Sequence, residues 1–368
     1  MRVLVLNSGS SSVKYQLVDS DTGERLTGGI VEEVDDHESA LGQVVGEVER
    51  LDRPVEAIGH RVVHGGDVFS EPARIDDQVV EVIRELVPLA PLHNPANLAG
   101  IEAARETWPD VPQVAVFDTA FHRTLPPAAH RYAVPDDWYE QHGVRRYGFH
   151  GTSHDYVSAR AADVLGRPRD ELDLIVAHLG NGASITAVHH GCSVETSMGL
   201  SPLEGLVMGT RSGDVDPAII GHVAGASGRS EADVLGDLNR VSGLLGLCGD
   251  SDMREITARV DAGDEAAELA LDVFCHRIKK YVGAYVAVLG GCDALVFTAG
   301  IGEHSAEVRS RVCAGLGVLG ISLDDDRNRR AETMISRDGA STAVLVVPTD
   351  EEHAIAEQTA RLLAPRDR

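Results

Sequence analysis

The first stretch of the chain most limits what it can fold into. Residues 2–6 form an apolar run of strand length, residues 7–12 a turn rich in Gly and Ser, and residues 13–19 a second run. This pattern predicts a β-hairpin. Gly9 would let a ligand approach the backbone closely, and the hydroxyl and N–H groups of the turn could surround an anion. The sequence therefore favours a phosphate-binding hairpin to which Lys14 adds charge, with an ordinary polar turn as the alternative.

The same pattern occurs again near the middle of the chain. Residues 173–178 form an apolar run, residues 179–184 a turn of small residues, and residues 185–188 a second run. The two hairpins predict two related α/β domains that face each other across a nucleotide cleft. Prolines between residues 126 and 135 mark the connection between these domains. Gly28–Gly29 predicts one further turn after the first hairpin.

Composition and charge limit the classes of partner. The chain has 368 residues, a formal net charge of −25 and a pI of about 4.9. This balance disfavours nucleic acid and anionic membranes, although a small anionic substrate could still bind in a locally positive cleft. No apolar run approaches the ~18 residues of a membrane helix. The cysteines are odd in number and contain no C-x-x-C pair, which favours a reduced cytoplasmic protein without disulfides or a zinc site.

Three charged residues are candidates for chemistry. Arg61 lies inside an apolar run and needs an anionic partner, either in a structural ion pair or as part of a substrate clamp. Asp118 follows the strand predicted at 111–117, where open α/β sheets place their active sites. Arg211 lies in a long loop, residues 196–214, and could reach a phosphoryl group, with an exposed loop arginine as the alternative.

A histidine pair has the i, i+4 spacing of zinc helices. However, Gly151 lies between His150 and His154, and the glutamate of H-E-x-x-H is missing. The pattern therefore favours a helix that begins at or after Thr152, with Thr152 or Ser153 as its N-cap.

A third glycine-rich segment suggests a nucleotide site. Residues 293–298 predict a strand that leads through a glycine turn, residues 299–305, into a helix, a geometry typical of phosphate binding. Walker A and protein-kinase motifs are missing from the sequence. Residues 315–320 match G-x-G-x-x-G but follow a helix, so they do not predict a dinucleotide site.

Motifs along nearly the whole chain resemble those of the acetate kinase family, within the superfamily of acetate and sugar kinases, heat-shock proteins and actin. They are N-S-G-S-S-S-V-K at 7–14, G-H-R-V-V-H-G-G at 59–66, P-L-H-N-P at 91–95, F-D-T-A-F-H at 117–122, R-R-Y-G-F-H-G-T-S-H at 145–154, H-L-G-N-G at 178–182, P-L-E-G-L-V-M-G-T-R-S-G-D at 202–214, F-T-A-G-I-G-E at 297–303 and T-D-E-E at 349–352.

The resemblance implies two ribonuclease-H-like domains of the actin-like ATPase type: residues 1–119 with 352–368, and residues 120–351. It implies direct in-line transfer of a phosphoryl group from ATP to acetate, giving ADP and acetyl phosphate reversibly. Mg²⁺ is the implied metal and Mn²⁺ its alternative. The protein would be a cytoplasmic homodimer joined through the second domain, in which a long helix predicted at 264–289 is either an interface element or part of the core.

The resemblance also assigns roles to single residues. The catalytic residues are Asp118, Arg61, His150 and Arg211. The acetate site comprises Arg61, Val63, Leu92, Phe149 and Pro202. The metal ligands are Asn7 and Glu351. The nucleotide-binding residues are Ser10, Ser12, Lys14, His178, Leu179, Gly180, Asn181, Gly182, Asp252, Met253, Arg254, Gly300, Ile301, Gly302, Glu303 and His304.

These residue types suit phosphoryl transfer, which depends on positioning and on positive charge around the phosphoryl oxygens. Acetate is already ionised at neutral pH, so Asp118 is expected to orient Arg61 or the metal's waters rather than act as a base. Three positions depart from the family. Asp350 and His304 stand where the family often has Asn, and Ala299 stands where it frequently has Gly.

Two alternatives remain. The first is a preference for propionate or butyrate, because one methylene changes binding by only ~1–3 kcal/mol. The second is an actin-like or chaperone-like ATPase switch that binds a protein partner. The presence of Arg61, Asp118 and Arg211 together argues against the switch, which needs no carboxylate clamp.

Overall fold

The computed structural model describes residues 1–9, 12–32, 37–50 and 53–364. Packing divides the chain into two compact units. Unit 1 consists of Met1–Arg123, Phe149–Tyr156 and Asp350–Arg368, and unit 2 of Thr124–Gly148 and Val157–Thr349. The chain therefore leaves unit 1, returns to it for one short segment, and ends in it. The functional domain boundaries expected from the sequence stay a prediction.

The strands are β1 (Arg2–Ser8), β2 (Ser12–Asp19), β3 (Glu24–Glu32), β4 (Ala57–Val62), β5 (Ala73–Arg74), β6 (Gln113–Phe117), β7 (Asp173–Leu179), β8 (Ala183–His189), β9 (Cys192–Thr196), β10 (Ala294–Thr298) and β11 (Ala343–Val346). The helices are α1 (His37–Glu49), α2 (Asp77–Glu85), α3 (Asn94–Thr107), α4 (Pro127–His130), α5 (Asp136–His142), α6 (Gly151–Leu165), α7 (Ala218–Ser227), α8 (Glu231–Arg240), α9 (Gly243–Cys248), α10 (Met253–Asp261), α11 (Glu265–Leu289), α12 (Ala299–His304), α13 (Ala306–Cys313), α14 (Asp325–Arg329) and α15 (Glu351–Leu363).

The two units contain sheets of the same topology. In unit 1 the strand order is β3-β2-β1-β4-β6-β5, and in unit 2 it is β9-β8-β7-β10-β11. Each sheet begins with an antiparallel meander of three strands and continues with two parallel strands beside the first of them. The sheet of unit 1 adds β5, a two-residue edge strand that pairs antiparallel with β6. Both predicted hairpins are present, as β1–β2 and β7–β8. The repeated sequence pattern thus corresponds to a repeated α/β architecture.

Each hairpin turn is closed by a backbone hydrogen bond. The Gly9 N–H donates to the Ser12 carbonyl over 2.8 Å, and the Gly180 N–H donates to the Gly182 carbonyl over 3.1 Å. Such compact turns bring several N–H groups to one edge of the sheet. Ser10 lies outside the described residues.

The sheet of unit 1 is buried on both faces. Leu4 and Leu6 on β1 belong to a cluster with α1 and α3, whereas Val3 and Val5 pack against Ile355 on α15. This division follows from the two-residue period of a strand, which sends alternate side chains to opposite faces. The C-terminal helix α15 therefore completes the core of the unit in which the chain began.

Two sequence expectations about local structure are wrong. Gly28 and Gly29 lie inside β3 rather than in a turn, where a Cβ on Gly28 would lie 2.8 Å from the Tyr15 carbonyl oxygen. Their glycine character therefore reflects close packing against β2. Helix α6 begins at Gly151, so Thr152 and Ser153 lie in its first turn and are not its N-cap.

The longest helix matches its predicted bounds closely. Asp264 caps α11 by accepting from the N–H groups of Ala266 and Ala267, and Gly290 ends it in the left-handed conformation. Its buried residues, Phe274 among them, run along most of its length. The helix is therefore part of the core of unit 2. None of the helices described here combines the length and apolarity needed to cross a bilayer.

The contact between β4 and α15 yields a stability prediction. A Cβ on Gly59 would lie 2.6 Å from Thr359 Oγ1 and 2.7 Å from Ile355 Cγ2. Both neighbours are β-branched and stiff, so we expect Gly59→Ala to lower the free energy of unfolding by about 1–3 kcal/mol. Urea denaturation followed by circular dichroism would measure this loss.

The matched control is Gly42→Ala on α1, where nothing lies within 4 Å of the added methyl group. That variant should gain roughly 0.5–1 kcal/mol from helix propensity. Equal stability of the two variants would show that α15 does not approach β4 this closely.

Candidate active site

The central feature of unit 1 is an ion pair between two neighbouring parallel strands. Arg61 lies on β4, and Asp118 follows directly after β6, where its N–H donates to the Val62 carbonyl over 3.0 Å. The Arg61 guanidinium grips the carboxylate with two hydrogen bonds, Nε to Oδ1 at 3.0 Å and a terminal nitrogen to Oδ2 at 2.6 Å. Asp118 is 1% exposed and Arg61 20% exposed. The anionic partner that the buried arginine requires is therefore Asp118.

The same surroundings keep Arg61 charged. Burial lowers the pKa of its guanidinium, but attraction by Asp118, followed by Glu351, more than offsets burial and raises the pKa overall. Glu351 Oε2 lies 3.7 Å from Arg61 Nε. The third guanidinium nitrogen makes no hydrogen bond to any described residue. Arg61 can therefore offer a fixed positive donor to an oxyanion while Asp118 holds its other edge.

His150 and Phe149 are anchored to the same strand end. The Gly151 N–H donates to the Asp118 carbonyl over 2.9 Å, and a Cβ on Gly151 would lie 2.2 Å from that oxygen. The buried His122 ring bonds to the Phe149 carbonyl at 3.0 Å. His150 has φ +57°, a left-handed backbone conformation that is energetically costly for residues other than glycine. The chain around His150 is thus fixed by its neighbours against Asp118.

Two buried asparagines of unit 1 were missed by the sequence analysis. Asn97 accepts from the Val63 N–H over 3.0 Å and donates to the Ser8 carbonyl over 2.8 Å. Asn94 makes paired bonds with the backbone of His64, at 3.2 and 3.1 Å. These amides hold the segment after β4, including Val63, beside the end of β1. The P-L-H-N-P motif contained the signal, because a buried amide at a helix start needs backbone partners.

The predicted metal ligands and Lys14 also lie in unit 1. Asn7 lies on β1, and its side chain makes no hydrogen bond to a described residue, whereas Glu351 is the first residue of α15. Lys14 forms an ion pair with Glu352. Asp350 caps α15 by accepting from the His353 N–H over 2.9 Å. Asp350 therefore has a structural role as the N-cap of α15, a position that aspartate suits well.

The remaining members of the predicted acetate site differ in exposure. Phe149 is buried, Val63 and Pro202 are partly buried, and Leu92 is 61% exposed. Pro202 belongs to unit 2 and the other three to unit 1.

Arg211 is the candidate cation of unit 2. Its guanidinium donates to the Pro202 carbonyl over 2.6 Å, and no described carboxylate pairs with it. Burial alone lowers its pKa. A partly buried cation without an anionic partner is well suited to receive an anionic ligand.

The loop that carries Arg211 is joined to the second hairpin turn. The Gly209 N–H donates to the Asn181 carbonyl over 2.9 Å, and a Cβ on Gly209 would lie 1.8 Å from Asn181 Oδ1. The Met208 N–H in turn donates to the Arg211 carbonyl over 3.1 Å. The predicted phosphate turn and the predicted phosphoryl-binding arginine are therefore parts of one packed structure.

A cavity of about 670 Å³ in unit 2 lies against the same turn. Its lining includes the predicted residues Gly180, Asn181, Asp252, Met253, Arg254, Gly300, Ile301 and His304. The sequence analysis missed the lining residues Ser251, Thr257, Ser305, Ala306 and Glu307. Five other predicted residues belong to unit 2 but do not line the cavity: His178, Leu179, Gly182, Gly302 and Glu303. Two further ones, Ser12 and Lys14, belong to unit 1.

Two helix ends shape this cavity. Asp252 caps α10 by accepting from the Arg254 N–H over 2.9 Å and also pairs with the Arg254 guanidinium. The Arg254 side-chain bonds and the backbone bond lower the pKa of Asp252 to about 2, so the carboxylate is charged at neutral pH. Helix α12 starts directly after β10, and the glycine turn predicted between them is absent. Ala299 opens α12 with φ +63°, a conformation that costs a non-glycine residue about 1–2 kcal/mol.

Arg309 on α13 is a further residue that the sequence analysis missed. Its guanidinium is fully buried and donates to the carbonyls of Gly302 and Glu303 over 2.8 and 2.9 Å. It also donates to Asn328 Oδ1 and to the Asn328 carbonyl, each over 2.8 Å. Burial lowers its pKa to about 10, so it is still a cation at neutral pH. Arg309 thus satisfies the terminal carbonyls of α12, a helix that lines the cavity.

Comparison with solved structures defines the class of protein. The acetate kinase of Porphyromonas gingivalis aligns with a TM-score of 0.94 and 44% identity, covering 98% of this chain and 99% of that one. A propionate kinase of Francisella tularensis subsp. tularensis SCHU S4 aligns with a TM-score of 0.93 and 42% identity over the same shares. The fold is therefore the two-domain α/β fold of the actin-like kinases, as the sequence predicted.

The sequence relatives define the family within that class. The profile of the Acetokinase family matches residues 2–50 and 33–357. An acetate kinase of Streptomyces coelicolor is 54% identical over 395 aligned positions, which cover 99% of this chain and 97% of the relative. The chain belongs to the acetokinase family, whose members are phosphotransferases with a carboxyl group as acceptor.

The position of Arg309 leads to a kinetic prediction. Arg309→Lys keeps the charge but cannot reach all four oxygen acceptors, so the end of α12 should loosen. We expect the KM for ATP to rise roughly 10-fold, as for the loss of one to two hydrogen bonds, while the KM for acetate stays unchanged. Steady-state kinetics with each substrate varied in turn would measure both constants.

Arg229→Lys is the control, since Arg229 also belongs to unit 2 but forms a surface ion pair with Asp237, and neither residue lines the cavity. It should leave both constants near wild type. Equal changes in the two KM values of Arg309→Lys would mean that Arg309 supports the whole unit rather than the nucleotide cavity.

Proposed function

We propose that the protein is an acetate kinase that transfers a phosphoryl group reversibly and in line from ATP to acetate, giving ADP and acetyl phosphate. The observation that carries the proposal is the Arg61–Asp118 pair. It presents an oriented guanidinium with an unused edge in a chain that matches the acetokinase family almost end to end. Family membership supports the reaction class, and the residue roles below are part of the proposal.

Arg61 binds the acetate carboxylate and, after the transfer, the acyl phosphate. Its charge is secured by Asp118, and its free nitrogen supplies donors toward an anion. A guanidinium suits this task because its planar fork matches a carboxylate. Val63, Leu92, Phe149 and Pro202 provide the apolar surroundings of the methyl group.

Arg211 and His150 stabilise charge on the phosphoryl group. Arg211 is partly buried and pairs with no described carboxylate, so no neighbouring negative charge offsets its positive charge there. His150 is fixed in place by Gly151 and can donate a hydrogen bond even as a neutral imidazole. Donors that are already in position need no reorganisation as the charge develops, which is the main source of catalysis in such reactions.

Asp118 orients Arg61 rather than removing a proton. Acetate enters the reaction as the carboxylate, so no proton has to leave the nucleophile. Both Asp118 oxygens are engaged by the guanidinium, and the carboxylate is almost fully buried. These contacts support a positioning role.

The donor set of unit 1 fits a magnesium ion. Asn7 offers an amide oxygen and Glu351 a carboxylate oxygen, the hard ligands that Mg²⁺ and Mn²⁺ prefer. When bound, the ion would neutralise charge on the phosphate oxygens of the nucleotide.

The adenosine end of ATP occupies the cavity in unit 2, and the turn at residues 180–182 holds its phosphates. Lys14, Ser10 and Ser12 contribute from the first hairpin.

We also propose a cytoplasmic homodimer with functional domains at residues 1–119 with 352–368 and 120–351. ATP as substrate and five free cysteines support a reducing compartment. Leu269 and Val288 on α11 are more than half exposed, which supports an interface on unit 2. A sedimentation-equilibrium mass of one chain would contradict the dimer.

A second candidate substrate is propionate. The similar Francisella tularensis structure bears the name propionate kinase, and one methylene shifts discrimination by only ~1–3 kcal/mol. The reaction class is the same, so one assay can compare the acids.

The first prediction for this proposal concerns Arg211. Purified protein with Mg·ATP, hydroxylamine and acetate, propionate or butyrate should yield acyl hydroxamate, most strongly with acetate. Arg211→Ala should lower turnover on the order of 10²–10³-fold, as for the loss of one charge-stabilising donor. The hydroxamate is measured by its coloured iron complex.

Arg229→Ala serves as the control, because Arg229 forms a surface ion pair with Asp237. Its turnover should equal that of the wild type. Folded protein that binds ATP but forms no hydroxamate with any of the acids would refute the proposed function and favour an ATPase switch.

The second prediction concerns Asp118. Asp118→Asn removes the charge that orients Arg61 and turns an amide N–H₂ toward a guanidinium nitrogen. We expect a roughly 10–100-fold rise in the KM for acetate, corresponding to ~1.5–3 kcal/mol for a charge-assisted hydrogen bond. The KM for ATP should change little. A collapse of kcat with both KM values unchanged would instead support a base role for Asp118.

A further inference from the structure

Three potential metal ligands meet at the end of the β7–β8 hairpin that lies opposite its turn. Asp173 is the first residue of β7 and pairs in register with His189, the last residue of β8, and His190 follows in the turn to β9. His189 Nδ1 lies 2.6 Å from Asp173 Oδ1, and the two imidazole rings stack with centroids 3.9 Å apart. One ligand atom from each residue can be chosen so that all three lie within 4.8 Å of one another.

The backbone holds this cluster in place. The Asp173 N–H donates to Asp293 Oδ2 over 2.8 Å, and the His190 N–H donates to the Leu172 carbonyl over 2.9 Å. His190 has φ +51°, which turns the chain tightly and keeps its ring beside that of His189. The histidines are exposed and Asp173 is partly buried, so an ion from solvent can reach them.

The cluster is separate from the site described above. Asp173 lies six positions before Leu179 at the other end of β7, which is about 20 Å along a strand. None of its members lines the nucleotide cavity or contacts Arg211. Phosphoryl transfer therefore leaves these three residues unexplained.

We propose that Asp173, His189 and His190 bind one divalent transition-metal ion of the zinc type. Two imidazoles and a carboxylate are the ligands of open zinc sites, in which water takes the fourth position. The ion would take the place of the proton between His189 and Asp173. The exposed His190 ring would rotate out of the stack to supply the second nitrogen, because the lone pair of an imidazole nitrogen lies in the ring plane and two stacked rings cannot both point at one ion. Binding would join the first residue of β7 to the last residue of β8 and to the turn that follows.

Cys192 is the one nearby residue that could compete for this role. It is exposed and lies opposite His189 in the β8–β9 register. Its sulfur does not belong to the set of mutually close ligand atoms. The proposal therefore gives Cys192 no ligand role.

The test is a zinc titration of the full-length protein after treatment with a chelator. Excess Mg²⁺ is kept present to occupy sites that prefer hard cations, and a chromogenic chelator reports free Zn²⁺. Wild type should bind one equivalent. His189→Ala and His190→Ala should each weaken binding at least ~10-fold, and Asp173→Asn about 10–100-fold. Zn²⁺ should raise the melting temperature of the wild type but not of His190→Ala.

His222→Ala is the matched control, because His222 is an exposed histidine on α7 outside the cluster. It should bind like the wild type. Circular dichroism verifies that each variant is folded, and since the readout is binding, the result does not depend on the proposed kinase activity. Wild-type affinity in His189→Ala and His190→Ala would overturn the proposal, as would loss of binding in Cys192→Ser with His190→Ala unaffected.

Discussion

The ion pair between Arg61 and Asp118 is the interaction on which the arrangement of unit 1 depends. A buried arginine on β4 would be strongly destabilising alone, and a fully buried carboxylate after β6 equally so. The neighbouring parallel strands β4 and β6 bring the two opposite charges together, because their carboxyl ends meet at one edge of the sheet. The Asp118 carbonyl then anchors Gly151, which places His150 at the same edge. A stability requirement and a binding geometry are thus met by one contact.

The two candidate arginines are held by opposite principles. Arg61 is paired with a carboxylate that fixes its orientation, whereas the partly buried Arg211 has a backbone oxygen as its partner among the described residues. Pairing raises the pKa of the first, and burial lowers that of the second. A paired arginine favours directional binding of a small carboxylate. An arginine without a carboxylate partner attracts an anion with several charges more strongly, because no neighbouring negative charge offsets its own.

The parts of the fold that follow local rules could be predicted from the sequence. Strand–turn–strand patterns predicted both hairpins, and the helix predicted at 264–289 is α11, which the structure shows capped by Asp264 and ended by Gly290. Contacts between distant segments could not be predicted this way. Gly28 and Gly29 resemble a turn in the sequence but lie in a strand. They are glycines there because Tyr15 on the neighbouring strand leaves no room for a Cβ atom. The sequence around Arg309 contains no signal of its role, and only the fold shows that it donates to the carbonyls at the end of α12.

Backbone strain connects the separate sites. Among the described residues, four that are not glycine have positive φ: His150, His190, Ala299 and Ala331. Such conformations cost about 1–2 kcal/mol each and persist only where neighbouring contacts enforce them. Three of the four coincide with the histidine proposed to bind the phosphoryl group, the proposed metal ligand and the first residue of the helix that lines the cavity of unit 2. At His150 and His190, a left-handed backbone turns an imidazole toward positions that a relaxed chain would not reach. At these residues the chain adopts a backbone conformation of higher free energy, and in return the side chain points in the direction that the proposed site requires.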